Sequence, residues 1–315
     1  MAGHFAGGPA ELVLTASVAR RYYLDARSKV EIAEEFGLSR FKVARLLQTA
    51  RASGLVRIDI GYPGAIDVGL SDRLQEAFGL RHAVVINTDD ATSLRRHLGE
   101  AAAELLTEIV TADDVLGLAW ARSVSAMTTA LTRLAPAPVV QLTGALSRAD
   151  DEDSSVDLVR QAARVSGAPA HFFHAPMIVR DAATARALRR QPEIARAFAR
   201  FSSVTKAVVG VGLWVPGQST VYDAADTEAR RVVRRLGVRA EISGVLVDAD
   251  GRPVPTALAE RMICVNAAQL RAMPEVIAIV YGTTKVAAVR AAVRSGLVTG
   301  LVTHSALANA LLATA

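Results

Sequence analysis

The apolar positions Val43, Leu46, Leu47 and Ala50 recur at i, i+3, i+4 and i+7, which predicts a helix with one buried stripe. At about 100° per residue, the opposite side carries Phe41, Arg45 and Gln48, with Lys42, Ala44 and Thr49 at its margins. A second helix is predicted just before it. Ser28 and Glu31 form a capping box, Ile32, Ala33 and Phe36 make one apolar side, and Gly37 suits the left-handed position that ends such a helix. Leu38 then plugs the corner and Ser39 caps the next helix. Behind the pair, residues 55–60 read as a short strand, and the turn GYPG at 61–64 closes the module.

A short helix follows from about Asp67 to Phe78, with Leu70, Leu74, Ala77 and Phe78 on the side that packs against the large domain or a partner subunit. From there the pattern alternates. Strand-like apolar runs occur at 83–86, 115–119, 139–142, 170–173, 207–211, 245–248, 276–281 and 300–303. Helical stretches separate most of them, at 94–110, 124–134, 156–165, 226–236 and 285–295. Such alternation predicts an α/β fold, a doubly wound and mostly parallel sheet with helices on both faces. The expected organisation is a tail at 1–10, a helix-turn-helix module at 11–60, a linker and short helix at 61–80, and a large domain at 81–315.

Charge gives the first module a partner. Between Ser39 and Arg57 stand five basic residues, Arg40, Lys42, Arg45, Arg51 and Arg57, and no acidic one. The whole chain has 36 basic and 31 acidic residues, so everything outside this segment is balanced. A local excess on one helix-turn-helix is the footprint of phosphate contact, and the expected partner is double-stranded DNA. Arg45 and Gln48 face away from the buried stripe and are the expected base readers, with Phe41 beside them. Ser39, Arg40, Lys42 and Arg57 are placed to hold phosphates. A helical hairpin with a solvated basic face is the competing reading, but it leaves the missing acids unexplained.

With 315 residues the chain is long enough for this module plus a domain with a substantial core. The single cysteine, Cys264, forms no intramolecular disulfide, and the N-terminal MAGHFAGGPA lacks a basic start and an apolar run, so a reducing cytoplasm is expected. The last 19 residues carry no Asp, Glu, Lys or Arg, but His304, Asn309 and several threonines divide them into a buried strand and a helix capped by Ser305 rather than a membrane span.

In doubly wound folds ligands sit beyond the carboxyl ends of the strands. After 115–119 comes Trp120-Ala-Arg-Ser-Val-Ser125, where Arg122, Ser123 and backbone N–H groups meet at a helix start that suits an anion. After 276–281 come Gly282, Thr283, Thr284 and Lys285, again a turn into a helix. The two loops are candidates for clamping one phosphorylated ligand, against the alternative that Lys285 is a solvated first-turn lysine. Thr143, Glu241, Asp248 and His304 follow or flank other strands and are weaker, hydroxyl-binding candidates. His171 and His174 make no metal pair, because residues three apart in a strand point to opposite faces and no further ligand joins them. Met177 reads as core and Asp150 to Asp153 as a solvated loop. AVVGVG at 207–212 lacks the full dinucleotide fingerprint. No cofactor or metal is expected.

The segments EIAEEFGLSRFKVARLLQTARASGLVRIDI, LGLAWARSVSAM, VVQLTGAL, AVVGVG, AEISGVLVDADGRPV and VIAIVYGTTKVAAVRAAVRSGLVTGLVTHSALANALL together resemble the SorC family of sugar-responsive bacterial transcription regulators. The resemblance runs from about residue 12 to 313, and its last segment is the most specific. It implies a winged helix-turn-helix joined to an effector domain like the phosphosugar isomerases, usually in a tetramer, with a phosphorylated sugar as signal. It also implies ligand contact by Arg122 and Ser123, hydroxyl binding by Glu241 and phosphate binding by Lys285. Three departures bear on the pocket. The glycine usual after the tryptophan is Ala121, a glycine pair is Tyr281-Gly282, and the last strand ends Thr303-His304 where an aspartate is usual. Thr143 stands where some deoxyribose-phosphate sensors carry a Schiff-base lysine, which argues against covalent sensing.

The expected function is a DNA-binding regulator of carbohydrate or polyol metabolism, a dimer or tetramer, controlled by a small sugar, polyol or sugar phosphate. The enzymatic alternative, a phosphosugar isomerase or deaminase fused to a DNA-binding module, needs an acid/base pair beside the ligand carbon. Asp248, Glu241 and His304 are the candidates, and no catalytic spacing links them. An adaptor whose basic helix binds protein or RNA is the third reading.

Overall fold

The computed structural model describes residues 8–56, 66–88, 92–146 and 154–313. Contacts divide the chain into two compact units, Met1–Ile60 and Gly61–Ala315.

The first unit has three helices, α1 (Pro9–Tyr23), α2 (Lys29–Phe36) and α3 (Arg40–Ala52). The local signals act as their chemistry dictates. Ser28 accepts from the Glu31 N–H while the Glu31 carboxylate accepts from the Ser28 N–H at 2.8 Å, Gly37 ends α2 at φ 61°, and the Ser39 hydroxyl accepts from the Lys42 N–H at 3.2 Å. Ile32 and Ala33 of α2 pack with Val43, Leu46, Leu47 and Ala50 of α3 in one core. That core needs a third wall. Val18 and Ala19 of α1 supply it, so the chain is helical from Pro9, and the tail expected over 1–10 is shorter by Pro9 and Ala10. Of the strand read over 55–60, Leu55 and Val56 lie in a bend, while Arg57 to Ile60 and the turn 61–64 fall outside the described residues.

The second unit carries a seven-stranded, all-parallel sheet. Its strands are β1 (His82–Ile86), β2 (Leu116–Leu118), β3 (Val139–Gln141), β4 (Ala170–His171), β5 (Lys206–Val209), β9 (Glu275–Ile279) and β10 (Gly300–His304), in the spatial order β1-β10-β9-β5-β2-β3-β4. Burial on both faces requires apolar runs rather than alternation, and every residue of β9 and β10 is buried. The helices are α4 (Val68–Phe78), α5 (Leu94–Ile109), α6 (Arg122–Ala130), α7 (Ser155–Ser166), α8 (Ala182–Arg189), α9 (Pro192–Ala199), α10 (Thr220–Ala224), α11 (Thr227–Arg235), α12 (Ala257–Glu260), α13 (Ala267–Ala272), α14 (Val286–Arg294) and α15 (Ser305–Leu312). Leu70 and Leu74 of α4 are buried against this unit's own core, which also takes in α15.

Two expected strands are placed differently. The run 207–211 breaks at Gly210, because β5 stays in the parallel sheet while β6 (Val211–Leu213) turns into a second sheet. There β6, β7 (Ala240–Ile242) and β8 (Val245–Val247) pair antiparallel, so the run at 245–248 is not a strand of the main sheet. A short connection cannot return a parallel strand, whereas a two-residue loop joins β7 to β8 directly. Ser305 does not cap α15. His304 holds the cap position, and the Ser305 hydroxyl pairs with Asn87 Oδ1 at 3.3 Å. No helix among the described residues is long and apolar enough to cross a membrane.

The strand order fixes where a ligand can lie. From β2 the chain moves outward to β3 and β4, then returns to β5 on the other side of β2 and continues toward β9 and β10. The connections therefore diverge between β2 and β5, which opens a crevice at their carboxyl ends.

Candidate functional site

A cavity of about 60 Å³ occupies that crevice. Loops after three neighbouring strands build it. Trp120 to Ser123 follow β2, Gly210 joins β5 to β6 and is followed on β6 by Val211 and Gly212, and Tyr281 and Lys285 follow β9. The small sheet and α10 close the far side with Glu241, Ser243, Gln218, Ser219 and Thr220, while Leu146 and Met177 give it an apolar edge.

One end of the cavity is positive. Arg122 starts α6, half-buried, and its guanidinium has no hydrogen-bond or ion-pair partner among the described residues. Ala121 in the cap position offers no side-chain acceptor, so the first N–H groups of α6 retain an affinity for an anion. The Lys285 ammonium donates to the Val211 carbonyl at 2.9 Å and lies 5.7 Å from the Tyr281 ring centroid. Burial holds its pKa below the ordinary 10.5, the Glu241 charge pulls it back up, and Arg122 pushes it down. A cation that is desolvated and faced by a like charge gains when an anion arrives.

The same cavity holds a buried acid. Glu241 accepts from the Ser219 hydroxyl at 3.0 Å and from the Gly244 N–H at 2.6 Å. Burial raises its pKa above the ordinary carboxylate range, opposed by these two hydrogen bonds and by the charge of Lys285. Gly212 makes the approach possible, since a Cβ there would lie 2.6 Å from Ser219 Cβ and 2.9 Å from Glu241 Oε2. Ser219 has two tasks, because it also caps α10 by accepting from the Tyr222 N–H.

Of the residues nominated from sequence, Trp120, Arg122, Ser123, Glu241 and Lys285 line this cavity. The Ser123 hydroxyl, however, is spent on the Ile279 carbonyl at 2.9 Å. Lys285 is half-buried and bonded, not a solvated lysine. Thr143, Asp248, Gly282, Thr283 and His304 lie outside the lining. Thr143 accepts from the Trp120 N–H at 3.0 Å, and Asp248 accepts from the N–H groups of Asp250 and Arg252 within its own turn. Thr283 is exposed, while Gly282, at φ 94°, donates its N–H to His304 Nε2 at 3.1 Å. Thr143 and His304 thus hold the cavity's two key loops from behind. Sequence reasoning missed Gln218, Ser219, Thr220 and Ser243. The one available signal was Ser219 as a helix cap, which carries no hint of Glu241.

His304 makes the second loop pH-sensitive. Its Nε2 accepts a hydrogen bond, which requires that nitrogen to be unprotonated, and burial lowers its pKa from the ordinary 6.5. The folded protein therefore binds this proton less readily than the unfolded chain. Its stabilising share is complete above 6.5 and is lost as pH falls from there through the lowered value. Thermal melts between about pH 7.5 and 5 are expected to show this loss in the wild type and a shallower one in His304→Gln. Equal slopes would remove His304 from the titration.

On the first unit, the side of α3 opposite its buried stripe is open to solvent. Ser39, Arg40, Phe41, Lys42, Arg45 and Gln48 are exposed, Phe41 to 71%, and the Arg40 guanidinium lies 5.1 Å from the Phe41 ring. Arg57 falls outside the described residues. Among the described residues no cluster of His, Cys, Asp or Glu has the geometry of a metal site.

The model of the Sugar-bind family, described as "Putative sugar-binding domain", matches residues 65–313. The chain is 29% identical over 266 residues to the "Uncharacterized transcriptional regulator YjhU" of Escherichia coli, covering 79% of each chain. It is 29% identical over 312 residues to the "Transcriptional regulator LsrR" of Klebsiella pneumoniae, covering 97% of this chain and 94% of that one. The crystal structure of the full-length sorbitol operon regulator SorC from Klebsiella pneumoniae superposes with a TM-score of 0.74 at 23% identity, over 96% of this chain and 99% of that chain.

Proposed function

That this chain belongs to the Sugar-bind family is the premise from which we propose that it reads an operator with α3 and senses a phosphorylated sugar or polyol at the β2/β5 crevice. It is a transcription regulator of carbohydrate or polyol metabolism and not an enzyme, as its relatives include regulators named for the sorbitol operon and for erythritol catabolism. The observation that carries the choice of a phosphorylated signal is Arg122, a half-buried guanidinium without a partner among the described residues, on the same cavity as a desolvated lysine. Such a pair is costly until an anion fills it. Glu241, which lines the same cavity, suits a ligand hydroxyl.

A cavity of about 60 Å³ holds a few water molecules and not a sugar phosphate. Entry therefore widens the cavity, and the ligand's preference for the widened form is what shifts the protein between two states of operator affinity. One recognition helix per chain reads only a few base pairs, so the regulator acts in the cytoplasm as a dimer or tetramer on a pseudo-palindromic operator. The test is a footprint of the purified protein on duplex from its own promoter region, repeated with sugar and polyol phosphates and paired with thermal shifts. A ligand at 100 times its Kd is expected to add about 2.7 kcal/mol of stability. A monomer with no footprint would sink the reading.

A further inference from the structure

The turn that joins β7 to β8 contains Ser243 at φ 51° and Gly244 at φ 97°. Two successive residues at positive φ make the tight hairpin turn that matches strand twist, and its first position favours Asn, Asp or Gly. Serine there holds a left-handed backbone that a side chain disfavours. Nothing in the hairpin calls for it. Ser243 is 6% exposed, its hydroxyl has no hydrogen-bond partner among the described residues, and it lines the cavity beside Glu241. Its Oγ is not among the buried polar atoms that lack a partner, so the hydroxyl is reached from the cavity and is free to pair with a molecule bound there. Glu241 is meanwhile held by Ser219 and Gly244, each using one lone pair of a different carboxylate oxygen, so both oxygens can still accept from a ligand.

We propose that Ser243 is a specificity residue of the effector pocket, whose hydroxyl pairs with a ligand hydroxyl adjacent to the one held by Glu241. The effector class is then a sugar or polyol that carries a vicinal diol besides its anion. This rests on the reading of the cavity as the effector site. The strained turn aims the hydroxyl, and the ligand supplies the partner that no described residue provides.

The experiment uses the full-length protein and erythritol 4-phosphate, ribose 5-phosphate, xylitol 5-phosphate and glucose 6-phosphate. Each is tested beside its unphosphorylated form and, for the tightest binder, beside its deoxy analogue. Ser243→Ala removes only the hydroxyl, and Ser243→Gly also relieves the backbone. Both are expected to bind operator normally without ligand, and the glycine variant to melt at or above the wild-type temperature. Both are expected to need about tenfold more of the best probe for operator release, the loss set by one neutral hydrogen bond. Their preference for that probe over its deoxy analogue is expected to vanish. A variant that responds at the wild-type concentration, or a glycine variant that melts lower than wild type, overturns the assignment. A wild type that answers only to unphosphorylated polyols overturns the anion reading alone, and Ser243 is then judged with that polyol. A wild type that answers to none of the probes overturns both.

Discussion

Lys285→Ala is expected to raise the sugar phosphate concentration needed for operator release by roughly 10- to 150-fold while leaving operator affinity of the ligand-free protein unchanged. The ammonium is one of two cations on the cavity's lining, and among the described residues it holds a protein acceptor, the Val211 carbonyl. A charge-assisted bond to a phosphate contributes about 1.5 to 3 kcal/mol, so affinity falls by roughly 10- to 150-fold. Arg122 alone cannot compensate, because it meets the anion from α6 and not from the loop after β9. The substitution also affects the large unit. It leaves the Val211 carbonyl without its donor and Glu241 without its nearby cation, so the Glu241 pKa rises further and the large unit melts earlier. The helices that bear the operator-binding face form a separate compact unit. Titrating operator release with the tightest-binding phosphate in both proteins is the measurement. Release of the mutant at the wild-type concentration would return Lys285 to a structural role and leave an uncharged polyol as the signal.

Arg45→Ala is expected to cost about 1 to 3 kcal/mol of operator affinity and to relax preference at one base position. Arg45 and Gln48 are exposed on the same side of α3 as Phe41, turned away from Val43, Leu46 and Leu47. Such side chains reach base edges in a major groove, where arginine pairs bidentately with guanine and an apolar ring meets a thymine methyl. Lys42 stands at the first turn and is placed for phosphate. Lys42→Ala is therefore expected to weaken all sequences alike and to flatten the salt slope by about 1. Selection of bound duplexes from a randomised pool, with affinities read at two salt concentrations, separates the two effects. Intact base preferences in Arg45→Ala would overturn the docking of α3.

Much of the first unit was legible because its signals are local. A capping box, a left-handed glycine and a stripe at helical spacing each act within about four residues, and the structure uses all three. α1 escaped because its buried positions are few, Thr15, Val18 and Ala19, and matter only once α2 and α3 present a core to cover. In the large unit, the apolar runs were visible as strands, since full burial leaves a composition that needs no partner to read. Which sheet they join was not. The run through Gly210 reads as one strand, and only the pairing of Val211 with Ile242 shows that it serves two.

The site divides along the same line. By itself the sequence determined that loops after β2 and β9 present Arg122 and Lys285 at helix starts, because a strand followed by a helix aims N–H groups and first-turn side chains the same way wherever it occurs. Only the tertiary structure decided which polar groups face a ligand and which are used up by the protein. Ser123 bonds Ile279 156 residues away, Lys285 bonds Val211 74 residues away, and Thr143 supports Trp120 from the neighbouring strand. It also brought Glu241 and Ser243 of the small sheet, and Ser219 at the start of α10, into the same cavity lining without any motif to announce them. A side chain's partner is set by whichever segment packs against it, and over such separations that choice is made by the whole core rather than by neighbours in the chain.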